Sequence, residues 1–493
     1  MDIAVLLFLT SGLFLGWSLG ANDAANVFGT AVGTGMVRFN RAAAVCSIFV
    51  ILGAVISGAG AAHTLERLGE INALAGSFAA ALAAALTVYW MTKAGLPVST
   101  SQAIVGAIIG WNWFTESVTD ATALTKILAT WVVCPLLAGL IAALLFKLTA
   151  FALAKANLHL LRLDAYTRLA LILAGAFGAY SLGANNIANV MGVFVPVSPF
   201  TEFNVYDLFV VSSVQQLFLL GAIAIAVGVF TYSKRVMLTV GAELLPLSPV
   251  SAWVVVIAHS IVLFLFASEG LEHLLATAGL PTIPLVPVSS SQAVVGAVLG
   301  IGLLRGGRAI QWRVLGHISI GWVTTPIIAA IICFVSLFFL QNVFNQKVYS
   351  EISYSLSPTV IDHLAAQGIP VEPLADVAGE EFPSAIRLRD ALRARLFLTE
   401  AQEAAVLESA NVFRISFAPL RLATFRPTGL SEGQVAAVNA LGGRSFRHKW
   451  QVAEALAERS PEWRLAGETK VTKLANKRIR RQLDLVYRSF RVE

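Results

Sequence analysis

Apolar runs broken by few polar residues fill roughly the first 340 positions of the chain. Runs long enough to cross a hydrocarbon core of about 30 Å lie near residues 3–20, 42–62, 71–92, 127–146, 169–184, 208–230, 251–268 and 315–340. Two more, near 96–114 and 284–304, open on Pro and Ser clusters. Such polar starts predict broken or re-entrant helices, which a bilayer tolerates only where protein or a water-filled cavity surrounds the exposed backbone. After Asn345 the pattern changes, and charged residues become frequent. The expected architecture is an all-α polytopic membrane protein with a small α-helical soluble C-terminal domain. Its expected parts are a first transmembrane repeat (1–146), a basic linker (147–168), a second transmembrane repeat (169–344) and the C-terminal domain (345–493).

The membrane part is duplicated. Ser18 to Gly29 reads SLGANDAANVFG and Ser181 to Gly192 reads SLGANNIANVMG, identical at nine of twelve positions. Pro97 to Gly110 reads PVSTSQAIVGAIIG and Pro287 to Gly300 reads PVSSSQAVVGAVLG, identical at ten of fourteen. A weaker third echo pairs Trp131, Val132 and Pro135 with Trp322, Val323 and Pro326. Three motifs in the same order mean that a unit of roughly 165 to 190 residues was copied whole, unlike a solenoid of short repeats.

Basic loops then set orientation. Arg38 and Arg41 follow the first motif, and Lys155, Arg162 and Arg168 lie in the expected linker, whereas Thr115 to Asp120 is acidic. By the positive-inside rule the N-terminus lies outside and the linker inside. In the second half the basic loops are Lys234-Arg235 and Arg305 to Arg313, at non-equivalent places. An odd number of spans per half, most simply five, explains the switch and makes the repeats inverted. The start Met1-Asp2-Ile3 lacks a basic n-region, so the first run is expected to be a retained span.

Polar side chains inside these runs carry the candidate chemistry. Asn22, Asp23, Asn26, Asn185, Asn186 and Asn189 need partners that offset their desolvation. A single Asn is ordinarily explained by an interhelical hydrogen bond, but six in duplicated Gly-Ala-Asn frames point further. The Gly before each Asn pair is expected to let the helix unwind. Freed carbonyls and Asn or Asp oxygens would then bind a coupling ion, Na+ or H+. In the second motif, Ser99, Thr100, Ser101 and Gln102, and Ser289, Ser290, Ser291 and Gln292, open new helices. Free N–H groups, the positive end of the helix dipole and hydroxyl donors make an anion pocket without Arg or Lys. Plain N-capping by Ser explains either copy alone; two copies beside the Asn/Asp frames favour a ligand. His259 fits a proton relay or a structural hydrogen bond, and Glu243 fits an entrance or a solvent-facing loop.

Composition changes the picture little. The chain is 57% hydrophobic and 13% charged, with mean hydropathy +0.75. Its net charge of +6 is accounted for by basic loops, so no nucleic-acid partner is expected. Cys46, Cys134 and Cys333 fall inside apolar runs and read as small core residues. No nucleophile–base pair or metal-ligand spacing suggests an enzyme. In the tail, LTEAQEAAV from Leu398 and LSEGQVAAV from Leu430 echo each other. Thr399 with Gln402 and Ser431 with Gln434 form capping-box patterns there. The basic segment Lys470 to Arg491 suits a solvated helix face or contact with anionic lipid.

At its two duplicated motifs the chain resembles the inorganic phosphate transporter family, marked by a GANDxAN-type sequence in each half and a PVSxxH-like motif, over roughly residues 1–340. The resemblance implies an inverted-repeat secondary transporter of the inner membrane, phosphate symport with Na+ or H+, and a homodimer. It assigns Asn22, Asp23, Asn26, Asn185 and Asn189 to cation (Na+) and substrate binding, and Ser99 to Ser101 and Ser289 to Ser291 to phosphate. Three departures reduce the charge near the site: Asn186 stands where Asp is usual, Gln102 and Gln292 where His is usual, and Val50 near a customary Glu. Fewer carboxylates mean fewer co-bound cations or a substrate such as sulfate, which a permease branch of the family carries. A different class of reading, a channel or a sensor with the tail as output domain, is disfavoured by motifs that occur only twice.

Overall fold

The computed structural model describes residues 3–492 except 70, 95, 97, 157–158, 202, 206–208, 235, 238–246, 309, 396, 426, 428 and 468–471. Glu243 and Pro97, both singled out from the sequence, lie outside the described residues. The chain forms two compact units. The first comprises residues up to Phe114, Thr119–Glu272 and Ile283–Tyr349.

Among the described residues, twelve α-helices belong to the first unit, α10 running on into the second: α1 (Ile3–Gly33), α2 (Phe39–Ser57), α3 (Ala59–Leu68), α4 (Leu74–Lys93), α5 (Thr100–Phe114), α6 (Ala121–Ala156), α7 (Leu160–Met191), α8 (Ser213–Thr231), α9 (Pro249–Leu265), α10 (Glu269–Thr277), α11 (Ser290–Leu304) and α12 (Trp312–Asn342). A small antiparallel hairpin, β1 (Phe203–Val205) with β2 (Phe209–Val211), precedes α8. Residues 147–168, expected as a linker, are helical on both sides of residues 157–159, because α6 and α7 extend into them. Their Leu, Ala and Arg content favours helix.

Seven helices among the described residues are long and apolar enough to cross a membrane, or eight if α9 and α10, bent by 67°, form one span. Ten to twelve spans were expected, with those near 96–114 and 284–304 broken or re-entrant. The difference is α5 and α11, each 15 residues, or about 22 Å at 1.5 Å per residue. Both are too short to span and begin deep in the core, as their Pro-Ser openings foretold. Outward stripes such as Val132, Leu136, Leu140 and Leu144 on α6, and Val323, Ile327 and Ile331 on α12, are exposed at helical spacing. In a multi-pass membrane protein these faces meet lipid.

The two halves exchange equivalent contacts. A Cβ on Gly20 would meet the Ile225 carbonyl at 2.0 Å, and one on its counterpart Gly183 would meet the Val50 carbonyl at 2.1 Å. Gly53 lies as close to the Tyr180 carbonyl as Gly228 does to that of Trp17. Gly106 sits on the Pro326 carbonyl and Gly296 on that of Pro135, at 2.1 Å in each case. Thus α2 packs on α7 as α8 packs on α1, and α5 on α12 as α11 on α6. Small residues let the backbones approach, which substitutes in lipid for the missing hydrophobic drive.

The second unit holds Thr115–Val118, His273–Thr282 and the tail from Ser350. The tail has two hydrophobic clusters of its own, one including Leu356, Leu364 and Leu388, the other Phe417, Val452, Trp463 and Phe490. It too is duplicated. Tyr354–Ser355 pairs with Glu381–Phe382, and Ile415–Ser416 pairs with Ser445–Phe446. Gly379 N–H donates to the Leu356 carbonyl at 2.8 Å, and Gly443 N–H to the Phe417 carbonyl at 2.9 Å. Both glycines have positive φ, 86° and 76°, which glycine adopts without a Cβ clash. Both expected capping boxes form, at Thr399 and Ser431. They open helices at non-equivalent places in the two copies, so the LTEAQ/LSEGQ echo does not mark the repeat.

Candidate functional site

Both Gly-Ala-Asn frames lie inside unbroken helices. α1 runs through Ser18–Gly29 and α7 through Ser181–Met191. The expected unwinding does not occur, because Gly20 and Gly183 serve close backbone packing and the Ala-rich frame favours helix. Main-chain carbonyls there are engaged in the helix, leaving the side chains as the available ligands. Asn22, Asp23, Asn26, Asn185, Asn186 and Asn189 are all buried.

Asp23 and Asn26 stand three residues apart, one above the other on the same face of α1. Thr100 Oγ1, at the start of α5, donates to Asp23 Oδ2 at 2.6 Å. Asn26 Nδ2 donates to Ser290 Oγ, at the start of α11, at 3.3 Å. A single turn of α1 therefore touches the first turns of both short helices, one from each half. Their N-termini supply unpaired N–H groups and positive dipole ends, while α1, α5 and α11 contain no Lys or Arg.

The serine clusters divide their labour. Ser99 Oγ accepts from Gln102 N at 3.3 Å, and Ser289 Oγ accepts from Gln292 N at 3.2 Å. These two serines are N-caps, with Ser101 and Ser291 hydroxyls 2.7 and 3.0 Å from them. Thr100 and Ser290, next in sequence, are the hydroxyls that reach α1.

Several buried polar atoms have no hydrogen-bond partner within the protein: Asn22 Oδ1, Asp23 Oδ1, Asn26 Oδ1 and Gln102 Oε1 from the first half, and Asn186 Nδ2, Asn189 Oδ1, Gln292 Oε1 and His259 Nδ1 from the second. Leaving one such atom unpaired costs about 1–3 kcal/mol, so three of them on one turn of α1, at Asn22, Asp23 and Asn26, mark a place suited to a polar ligand. Among the described residues no group of three or more His, Cys, Asp or Glu could hold a metal. The first-half set is instead one carboxylate and amide oxygens, hard donors suited to a monovalent cation.

The two halves of the site are not equal. Asn185 Nδ2 donates to the Val286 carbonyl at 3.1 Å, and its Oδ1 accepts from Val288 N at 2.8 Å. Both its polar atoms hold the entrance to α11, and its Oδ1 keeps one lone pair for a further partner. Its counterpart Asn22 donates to Thr92 Oγ1 at 2.7 Å and keeps Oδ1 unpaired. Asn189 Nδ2 donates to Asn186 Oδ1 at 2.8 Å, so that pair is half satisfied internally. Sequence reasoning left two participants unassigned: Thr92, at the end of α4, and His259, whose Nε2 lies 3.0 Å from Ser290 Oγ. A polar residue in an otherwise apolar run was their only signal.

Replacing Asn185 by Leu removes the clamp and orphans a buried N–H and a buried carbonyl. The expected cost is about 2 kcal/mol or more, read as a lower melting temperature of the purified protein and as loss of uptake.

The profile described as "Phosphate transporter family" matches residues 19–166, 158–333 and 279–380. A protein of Methanocaldococcus jannaschii named "Putative phosphate permease" is 28% identical over 337 residues, covering 68% of this chain and 97% of that protein. One of the same name from Haemophilus influenzae is 25% identical, covering 68% of this chain and 96% of its own length. A solved structure titled "The sodium-dependent phosphate transporter" superposes with TM-score 0.58 at 24% identity, covering 69% of this chain and 99% of that one. At that identity it speaks for the fold.

Proposed function

Because this chain belongs to the phosphate transporter family, we propose that it accumulates inorganic phosphate by symport with a cation, Na+ or H+, through one site shared by its two halves. The observation that carries this reading is the contact of Asp23 with Thr100 and of Asn26 with Ser290. It joins a buried carboxylate to two inward helix N-termini. The anion is held by N–H groups and hydroxyls at the starts of α5 and α11, and the cation by Asp23 with the Asn22 and Asn26 oxygens. Each ligand lowers the cost of burying the other, since opposite charges a few ångströms apart in a low-dielectric site attract strongly. That mutual dependence is what makes transport obligatorily coupled.

Inverted repeats fit the reciprocal packing of the halves and the switch in basic loops. In that arrangement a two-fold axis lies in the membrane plane, the N-terminus is outside, and the protein sits in the inner membrane as a homodimer. The family profile ends at residue 380. The tail from residue 350 on is read as a soluble appendage with its own hydrophobic clusters.

Labelled phosphate uptake into vesicles, with and without a Na+ gradient and at two pH values, tests the reading. Uphill accumulation that survives excess sulfate is the expected result. Uptake that only equilibrates would indicate a channel, and uptake abolished by sulfate would reassign the substrate.

A further inference from the structure

The lone-pair arithmetic at Ser290 points to a role for His259. Ser290 Oγ has two lone pairs and one hydrogen. Asn26 Nδ2, an amide nitrogen with no acceptor capacity, fills one lone pair at 3.3 Å. His259 Nε2, at 3.0 Å, decides the rest. If Nε2 carries a hydrogen it fills the second lone pair, and the Ser290 hydrogen has no outlet but a third acceptor. If Nε2 is bare it takes the Ser290 hydrogen, and the hydroxyl presents no donor to an anion. His259 and Ser290 are both buried, and His259 Nδ1 has no partner within the protein.

The equivalent hydroxyl in the first half is placed differently. Thr100 spends its hydrogen on Asp23 Oδ2 at 2.6 Å. With a carboxylate in front of it, that hydroxyl cannot also donate to an anion. Ser290 faces no carboxylate in its hydrogen bonds, only the amide of Asn26 and the imidazole of His259.

We propose that His259 is a positioning residue that holds the Ser290 hydroxyl as a hydrogen-bond donor toward the transported oxyanion, so that of the two hydroxyls that reach α1, Ser290 and not Thr100 donates to the anion. The inference rests on the transport reading and deepens it. It divides these two hydroxyls into an anion-donating one, set by His259 and Asn26, and one tied to the carboxylate.

The test is uptake by the full chain in proteoliposomes, with KM and maximal rate per folded protein for His259→Leu, His259→Gln, His259→Asn and Ser290→Ala. A Gln side chain places its amide nitrogen where the imidazole Nε2 sits, whereas Asn reaches only the Nδ1 position. His259→Leu and His259→Asn should raise KM about tenfold with little change in maximal rate, the effect of one lost hydrogen bond to a charged group. His259→Gln should remain within about threefold of the wild-type KM. Ser290→Ala should raise KM as His259→Leu does, and the double variant should be no worse than Ser290→Ala alone, because the two side chains act through one hydrogen. Gln behaving like Asn, additive losses in the double variant, or an effect confined to the maximal rate would each overturn the proposal. If Leu folds poorly by thermal melting, the comparison of Gln with Asn, both polar, still decides. If the wild-type chain accumulates sulfate and not phosphate, the substrate reading fails while the same series, run with sulfate, still tests His259.

Discussion

Vesicles carrying Asp23→Asn should show gradient-driven phosphate uptake reduced about 100-fold or more, while the purified variant should melt close to the wild type. Asp23 is the sole ionisable side chain between Ile3 and Val37. One of its oxygens accepts from Thr100 and the other has no partner in the protein. An amide in its place still accepts from Thr100, and Asn186, at the equivalent position of the second half, shows that the frame folds around an amide. What disappears is the negative charge. A cation about 4 Å from a carboxylate gains about 4 kcal/mol at an effective dielectric constant of 20. A loss of that size exceeds the roughly 2.7 kcal/mol that corresponds to 100-fold. Normal accumulation by the variant would remove Asp23 from the coupling site.

The second large effect is structural and comes from a methyl group. Gly183→Ala places a Cβ 2.1 Å from the Val50 carbonyl oxygen and 2.9 Å from its carbon. An ordinary contact needs about 1 Å more, and both clashing groups are backbone, so α7 and α2 must move apart. Overpacking of this kind costs about 1–3 kcal/mol. The expected reading is a melting temperature lower by several degrees. Uptake should fall severalfold as well, since α7 carries Asn185 and its grip on the entrance to α11. Gly316→Ala, with no heavy atom within 4 Å of the added Cβ, should leave both measurements unchanged. Equal melting of the two variants would show that α2 and α7 do not pack as closely as described.

Much of the site was legible because it was written twice. Asp23, Asn26, Thr100 and Ser290 were found by aligning the chain with itself, and each makes a hydrogen bond at the α1 turn. The misreadings share one cause, that an individual side chain's partners are not local. Gly20 and Gly183 look like helix breakers in sequence; their close approach to another helix shows them to be packing residues. Asn185 has the same neighbours in sequence as Asn22, yet its two polar atoms bond Val286 and Val288 and tie α7 to the entrance of α11. His259 has no sequence motif and enters the site only because α9 packs on α11.

The tail repeats the lesson. Its two capping boxes are local and were read correctly from Thr399 with Gln402 and Ser431 with Gln434. Its true duplication rests on strand pairs and on the Gly379 and Gly443 turns, which leave almost no shared letters.

The sequence alone determined that this protein resides in a membrane, that its membrane part was built by copying one unit, and which polar residues had been kept in both copies. Those properties depend on transfer free energy and on near neighbours along the chain. Only the tertiary structure decided that one turn of α1 bridges two helix starts, through contacts spanning 77 and 264 residues. It alone decided too that the copies divide into a carboxylate-bound hydroxyl at Thr100 and an imidazole-bound one at Ser290. The physical reason is that a hydrogen bond satisfies whichever atoms packing brings within about 3 Å, and packing is a property of the whole fold.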